Sequence, residues 1–118
     1  MMQKILVVDD EELIIDLFLN RFSEEYKIHT AFNGAEAVRI CSLENFDLVI
    51  MDIVMPELDG IEAAKAIKIC QPDIKIIIMS GHYNSDQKER LNLIKFDLFI
   101  EKPFIISDMA KDIKKIIG

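Results

Sequence analysis

The fold is decided by the stretch Phe46-Asp47-Leu48-Val49-Ile50-Met51-Asp52-Ile53-Val54-Met55-Pro56-Glu57-Leu58-Asp59-Gly60. Its apolar first part, rich in β-branched residues, is typical of a strand that is buried on both faces. That strand ends on a single carboxylate, Asp52. Pro56 cannot donate a ladder hydrogen bond and marks a loop, and Asp59-Gly60 is a turn and helix-entry signal. The stretch therefore predicts a buried strand, a carboxylate at its end, a loop and then a helix.

Outward from this stretch, strands and helices alternate along the whole chain. Apolar runs predict the other strands at 4–8, 26–32, 74–81 and 98–100. Apolar residues at helical spacing predict helices at 13–22, 34–43, 60–70, 85–95 and from about 107 onward. Asn33 and Asp59 each stand three residues before a Glu, as in a capping box, and Ser85 is the expected cap of the fourth helix. Five strands alternating with five helices predict a doubly wound α/β domain with a five-stranded parallel sheet.

Length and composition bound the class of protein. The 118 residues, 51% hydrophobic and 30% charged, fit one globular domain over 1–118. No apolar run approaches the roughly 20 residues of a membrane span, and no signal peptide is visible, so a cytoplasmic protein is expected. The net charge of −7 and the lack of a basic stripe argue against direct nucleic-acid binding. Cys41 and Cys70 have no metal-ligand spacing and are predicted to be small buried hydrophobes.

Polar side chains follow or end four of the five predicted strands. They are Asp9 and Asp10, Asp52, Ser80 and Lys102. In a doubly wound sheet of order 2-1-3-4-5, these four strands place the side chains on one rim, within reach of one another. Carboxylates packed that closely repel by about 4 kcal/mol per pair at 4 Å and an effective dielectric of 20, so they either take up protons or hold a cation. All-oxygen ligation without His or Cys selects a hard ion such as Mg²⁺.

Each of these residues also has an ordinary structural explanation. A strand-end Asp can cap a helix, a Ser can bond its own backbone, and a Lys can simply be solvated. Together, however, these explanations require four strands to end by accident on acid, acid, hydroxyl and cation. We therefore interpret the four strand ends as one site.

On these residues the chain resembles the receiver domain of two-component response regulators, over essentially its whole length. The motifs that carry the resemblance are Val7-Val8-Asp9-Asp10, Met51-Asp52-Ile53-Val54-Met55-Pro56 with Asp59-Gly60, Met79-Ser80-Gly81 and Lys102-Pro103-Phe104. The resemblance implies a flavodoxin-like fold, and a receiver protein is itself a standard example of the order 2-1-3-4-5. It also implies a signalling domain, not an enzyme, that catalyses only its own phosphorylation and dephosphorylation.

The resemblance implies a role for each residue at the rim. Asp52 would accept a phosphoryl group from phosphohistidine on a histidine kinase or a histidine phosphotransfer protein. The implied ligands of Mg²⁺, or Mn²⁺, are Asp10, Asp52, the backbone carbonyl of Val54 and, through an ordered water, Asp9. Lys102 would pair with the phosphoryl oxygens, and Ser80 would hydrogen-bond one of them.

Further positions are expected to switch the domain or to set the phosphoryl lifetime. Phe99 stands where the family has its aromatic switch, and it would enter the space that Ser80 vacates on moving toward the phosphoryl group. Val54 and His82 occupy the variable positions two residues after Asp52 and Ser80, and the apolar Val54 is predicted to shield the phosphoryl group from water. The fourth helix is expected to be short or mobile, because Lys95-Phe96 replaces the family's usual Gly-Ala at its end.

A docking surface for the histidine donor is predicted on the first helix and on the loop after Lys102. The buried stripe of that helix is predicted to comprise Ile14, Leu17, Phe18 and Phe22. Ile15 and Leu19 lie off this stripe and would form an outward apolar patch. In the family these two regions meet the donor, so Ile15, Leu19, Phe104 and Ile105 are the predicted contacts.

Several functions remain open on the sequence. The chain is either a stand-alone receiver, acting as a phosphorelay intermediate or a protein-binding switch, or a receiver cut from a hybrid kinase or a DNA-binding regulator. Such a domain would be a monomer or a phosphorylation-dependent dimer with a downstream protein partner. A haloacid-dehalogenase-like phosphatase needs a second Asp where this chain has Val54, and also a cap domain. A flavodoxin relative needs a Ser/Thr/Gly-rich phosphate loop after strand one, which is missing here.

Overall fold

Five strands alternate with five helices in the computed structural model, which describes residues 2–55, 59–81 and 84–118. The strands are β1 Lys4–Val8, β2 Lys27–Ala31, β3 Leu48–Asp52, β4 Lys75–Ser80 and β5 Leu98–Glu101. The helices are α1 Glu12–Phe22, α2 Gly34–Leu43, α3 Gly60–Cys70, α4 Ser85–Leu91 and α5 Ile106–Ile117. The predicted loop at Pro56 and the predicted tuning residue His82 lie outside the described residues.

The strands form one sheet in the order β2-β1-β3-β4-β5, and every neighbouring pair is parallel. The prediction of a doubly wound, flavodoxin-like sheet is therefore confirmed. β3 lies at the centre, and all five of its residues are buried, as the apolar run in the opening stretch predicts. Because all strands are parallel, their carboxyl ends lie at one edge of the sheet.

Each face of the sheet carries its own apolar layer, because side chains alternate along a strand. On one face, Leu6 and Val8 of β1 pack with α2 and α3. On the other face, Ile5 and Val7 pack with α1 and α5. Within the described part of the chain, no helix is long and apolar enough to cross a membrane.

Side-chain caps begin three of the helices. The side chains of Asn33 and Asp59 accept hydrogen bonds from the third residue onward, so both predicted caps are confirmed. The predicted cap of α4 is wrong by one residue, because Asn84 and not Ser85 accepts the hydrogen bond from the Gln87 amide. α4 also ends at Leu91, short of the predicted Lys95, because turns closed by hydrogen bonds from Leu93 and Ile94 follow it.

The buried face of α1 differs from the predicted one by a rotation about the helix axis. Ile15, Phe18 and Phe22 are its buried residues, whereas Leu17 is 37% exposed. Ile15 is therefore a core residue that packs against β1 and α5, and Leu19 is half-buried against the same layer. The predicted outward patch of Ile15 and Leu19 is wrong.

The two cysteines differ in environment. Cys41 is buried in the layer beneath α2, and this burial, with a smaller effect from Cys70, raises the pKa of its thiol to about 11. Cys70 is exposed at the end of α3. The prediction of two buried cysteines is thus confirmed for Cys41 and wrong for Cys70.

Candidate phosphoryl-acceptor site

The carboxyl edge of the sheet brings the four predicted strand-end groups to one place. The Lys102 ammonium donates hydrogen bonds to Asp9 Oδ2 at 2.7 Å and to Asp52 Oδ2 at 3.0 Å. Asp9, Asp52 and Ser80 are the three buried polar or charged residues of the described part of the chain. A lysine whose side chain is 11% exposed joins two buried carboxylates, one of them 93 residues before it, and this arrangement is the central feature of the site.

Backbone hydrogen bonds continue the sheet for one residue past the strand ends and so fix these side chains. The amide of Asp9 donates to Ala31 at 3.1 Å, and that of Ile53, next to Asp52, donates to Met79 at 3.0 Å. The amide of Lys102 donates to Ser80 at 2.8 Å. The site is therefore built on rigid strand termini and not on free loops, which limits the movement of its functional groups.

Gly60 allows α3 to begin directly against the end of β3. A Cβ atom at this position would collide with the carbonyl oxygen of Asp52 and would lie 2.5 Å from Cα of Ile53. Any larger residue would push the start of α3 away from β3. The glycine of the opening stretch is thus required by this close approach.

Four carboxylates could hold a metal ion here. Asp9, Asp10, Glu11 and Asp52 each offer one oxygen, and these oxygens lie within 4.8 Å of one another. Asp10 is exposed, which leaves it free to turn toward an ion that enters from solvent. The donor set contains only hard oxygen ligands, so it fits Mg²⁺ or Mn²⁺ and disfavours softer metals.

Glu11 belongs to this site although the sequence analysis did not name it. Its carboxylate lies 3.3 Å from the Lys102 ammonium. Its backbone amide also donates to Asp9 Oδ1 at 2.9 Å, which holds the Asp9 side chain in place. The signal was present in the acidic run at 9–12, where four carboxylates follow β1 without a break.

Burial and ion pairing have opposite effects on the pKa of Lys102 and on the pKa of Asp9. Burial acts to lower the pKa of Lys102, but the hydrogen bonds and charges of Asp9 and Asp52 outweigh it and hold that pKa well above its usual value. Burial raises the pKa of Asp9, and its contacts with Lys102 and the Glu11 amide offset this only in part. Lys102 is therefore a permanent cation, which stabilises any negative charge placed beside it.

Three of the predicted switch and tuning residues, Ser80, Phe99 and Val54, lie in the described part of the chain. Ser80 is buried, and its hydroxyl lies 3.4 Å from Gln87 Oε1 of α4. Phe99 is half-buried and packs against the same layer as α2 and α3. Val54 is 38% exposed, and its amide donates to Asp52 Oδ1 at 3.0 Å. The backbone of Val54 thus contacts the Asp52 carboxylate, while its apolar side chain is partly exposed to solvent.

An apolar groove lies beside the site, between α1 and the loop after β5. It has a volume of about 320 Å³, and its apolar lining comes from Ile14, Leu17, Pro103 and Phe104. Lys102 and Glu11 line the same groove, so it opens directly onto the acidic cluster. Ile105 is exposed, as predicted for a docking residue. Of the apolar residues of α1, the half-buried Ile14 and the exposed Leu17 line this groove, in place of the predicted Ile15 and Leu19.

Comparisons with known proteins agree on one family. The family model described as response regulator receiver domain matches residues 5–114. Sporulation initiation phosphotransferase F of Bacillus subtilis is 34% identical over 116 residues, which cover 98% of this chain and 94% of that protein. The alkaline phosphatase synthesis transcriptional regulatory protein PhoP of the same species is 32% identical, and the match covers 99% of this chain and 49% of that protein. The chain therefore spans about half the length of this second relative.

Solved structures give the same result. A response regulator receiver domain protein (CheY-like) from Methanospirillum hungatei superposes with a TM-score of 0.93 at 26% identity, covering 98% of this chain and 93% of that one. Response regulator protein TrrA from Thermotoga maritima, solved in complex with Mg²⁺ and BeF, is 38% identical with a TM-score of 0.85. That match covers 98% of this chain and 99% of that one.

Proposed function

This chain belongs to the family of response regulator receiver domains, and we propose that its Asp52 carboxylate accepts a phosphoryl group from a phosphohistidine. Receiver domains are signalling domains of two-component systems, which receive their input from histidine kinases or phosphotransfer proteins. The single observation that carries the proposal is the Lys102 ammonium, 3.0 Å from the buried Asp52 carboxylate. A nucleophilic carboxylate with a fixed cation beside it is suited to an incoming anionic phosphoryl group.

The proposed reaction exchanges one bond to phosphorus for another. An Asp52 oxygen attacks the phosphorus atom, the new O–P bond forms, and the P–N bond to the donor imidazole breaks. Lys102 stabilises the negative charge on the phosphoryl oxygens, and the Ser80 hydroxyl donates a hydrogen bond to one of them. The product is an acyl phosphate on Asp52 and a free histidine on the donor.

A divalent cation fits the carboxylate cluster. Asp10, Asp52 and the backbone carbonyl of Val54 would hold it, with Asp9 acting through a water molecule. When bound, Mg²⁺ or Mn²⁺ supplies charge neutralisation between the carboxylates and the phosphoryl oxygens. Lys102 and the cation would then each neutralise part of the negative charge on the carboxylate and phosphoryl oxygens.

The expected effect of phosphorylation is a change in the surface of the domain. We propose that Ser80 turns toward the phosphoryl group and that Phe99 moves into the space it leaves, which repacks the face formed by α4, β5 and α5. The domain at 1–118 would then bind a downstream protein or pass the phosphoryl group on, as a monomer or as a phosphorylation-dependent dimer. The match over 94% of a named phosphotransferase supports the relay role, and the match to half of a transcriptional regulator supports the switch role.

The proposal is tested by phosphorylation with a small-molecule phosphodonor and Mg²⁺, followed by intact mass measurement. We expect wild type to gain one phosphoryl group in an acid-stable, base-labile linkage, and Asp52→Asn to gain none. Asp73→Asn is the matched control, because Asp73 is exposed and lies before β4 at the opposite end of the sheet. An adduct that persists in Asp52→Asn, or its absence in wild type, would overturn the proposal.

A further inference from the structure

α4 is held in place mainly by polar contacts. It has seven residues, and Leu91 is its one buried side chain among the described residues. A helix this short is marginal by itself, so its position depends on what its side chains contact. Two of those contacts reach the surroundings of Asp52.

The first contact is an ion pair between α4 and the start of α3. Arg90 Nη2 lies 2.7 Å from Asp59 Oδ2, and both side chains are about one-third exposed. The other oxygen of the same carboxylate, Oδ1, accepts the Glu62 amide at 3.0 Å and caps α3. Asp59 therefore connects α4 to the first turn of α3, which Gly60 places against the end of the acceptor strand.

The second contact lies one turn earlier on the same face of α4. Gln87 stands three residues before Arg90, so both side chains point to the same side of the helix. Its Oε1 atom lies 3.4 Å from the Ser80 hydroxyl, at the end of β4. One face of α4 thus contacts both β4, through Ser80, and α3, through Asp59.

We propose that Arg90 is a positioning residue whose ion pair with Asp59 holds α4 in its resting place and opposes the movement of Ser80 toward a phosphoryl group on Asp52. This inference rests on the proposed function of Asp52. A Ser80 hydroxyl that donates to a phosphoryl oxygen no longer donates to Gln87 Oε1, so α4 loses one of its polar contacts with the sheet. A phosphoryl group at Asp52 and the Arg90 ion pair therefore favour different positions of the same helix.

Loss of the ion pair should therefore lower the free-energy cost of moving α4 when Ser80 turns toward a phosphoryl group. In the resting protein, Arg90→Gln should increase the amide exchange rates of α4 about two- to fivefold, the range expected for a partly exposed ion pair. The same variant should bind beryllofluoride with Mg²⁺ about two- to fivefold more tightly, because less stabilisation is lost when α4 moves. The beryllofluoride complex stands in for the phosphoryl group on the aspartate.

Two further variants control this experiment. Lys88→Gln removes the same charge from an exposed position of the same helix, and it should leave both quantities as in wild type. Asp59→Asn keeps the Oδ1 acceptor that caps α3 but weakens the ion pair, so it should change both quantities in the same direction as Arg90→Gln. The double variant should show less than the sum of the two single effects, because both changes remove the same Arg90–Asp59 contact, while the 3.7 Å pairing of Arg90 with Glu62 Oε1 is lost only with Arg90.

The outcomes separate the two proposals. Unchanged α4 exchange in resting Arg90→Gln, or beryllofluoride binding that is equal to or weaker than in wild type, would overturn the role of Arg90. Additive effects in the double variant would do the same. If wild-type protein does not bind beryllofluoride at all, the proposed function of Asp52 fails, while the exchange rates of the resting variants still report on the ion pair.

Discussion

At the scale of single residues, the positive charge of Lys102 is the main determinant of the site's electrostatics. Without it, Asp9 and Asp52 would be two buried negative charges, which repel by about 4 kcal/mol at 4 Å and an effective dielectric of 20. With it, both carboxylates have a cationic partner, because the ammonium group contacts each of them within 3.0 Å. The pairing of these two buried carboxylates therefore depends on a lysine that directly follows β5.

Val54 is expected to set the lifetime of the phosphoryl group. The variant Val54→Asn places a polar side chain where water approaches Asp52, so the acyl phosphate should be lost at least about threefold faster. Dephosphorylation is followed by intact mass after removal of the phosphodonor. Leu13→Asn, at an exposed position of α1 that does not line the groove beside the site, is the control. A Val54→Asn protein that keeps its phosphoryl group as long as wild type, or longer, contradicts the shielding role.

At the scale of secondary-structure elements, the start of α3 is packed closely against the end of β3. The start of α3 is fixed by the Asp59 cap and by the absence of a side chain at residue 60. Gly60→Ala should lower the free energy of unfolding by about 1–3 kcal/mol, because the new methyl group overlaps the backbone of β3. Chemical denaturation measures this change. Gly81→Ala is the matched control, since among the described residues its Cβ would meet Lys102 Cβ alone, at an ordinary 3.8 Å. Equal stability of the two variants would mean that α3 can move away from β3 at no cost.

The helices also differ in expected stability. α5 spans twelve residues and buries Met109 and Ile113, whereas α4 has seven residues and buries only Leu91. The amides of α4 should therefore exchange with solvent faster than those of α5, as the sequence also predicts. Native-state hydrogen exchange compares the two helices in one experiment. Slower exchange in α4 would show that its polar contacts stabilise it more than apolar burial stabilises α5.

Partner recognition belongs to the scale of the whole molecule, because the groove beside the site needs both α1 and the loop after β5. Leu17→Asp puts a charge into the apolar lining that Ile14 and Phe104 share with it. Phosphoryl transfer from a histidine donor protein should fall about tenfold or more, while phosphorylation by a small-molecule donor stays unchanged. Ile69→Asp, at an exposed apolar position of α3, should affect neither reaction. Equal transfer to Leu17→Asp and to wild type would exclude this groove as the docking surface.

The order of elements and the chemistry of the site could be predicted because both depend on short-range patterns. A buried parallel strand requires a continuous apolar run, and parallel strands place their carboxyl ends at one edge. Asp9, Asp52, Ser80 and Lys102 could therefore be assigned to one site from their positions alone. The caps at Asn33 and Asp59 are equally local, since each needs only an acceptor and an amide three residues on.

The rotation of α1 could not be read from the sequence. Apolar residues stand at 13, 14, 15, 17, 18 and 19, so several stripes fit the helical period equally well. Only packing against β1 and α5 selects Ile15 for the core and leaves Leu17 outside. The surface that we propose for docking therefore has Ile14 and Leu17, which line the groove, in place of Ile15 and Leu19.

The sequence by itself determined the sheet, its order of elements and the residues at its carboxyl edge, because apolar runs, caps and strand ends are set by neighbours in the chain. The tertiary structure alone decided which face of α1 is buried, that Glu11 joins Lys102, and that Arg90 pairs with Asp59, 31 residues away. Such contacts form only when distant elements are brought together, and many alternatives of similar energy exist until the packed layers select one. The acceptor strand and its carboxylate were thus visible in the opening stretch, whereas the contacts that we propose to control them were not.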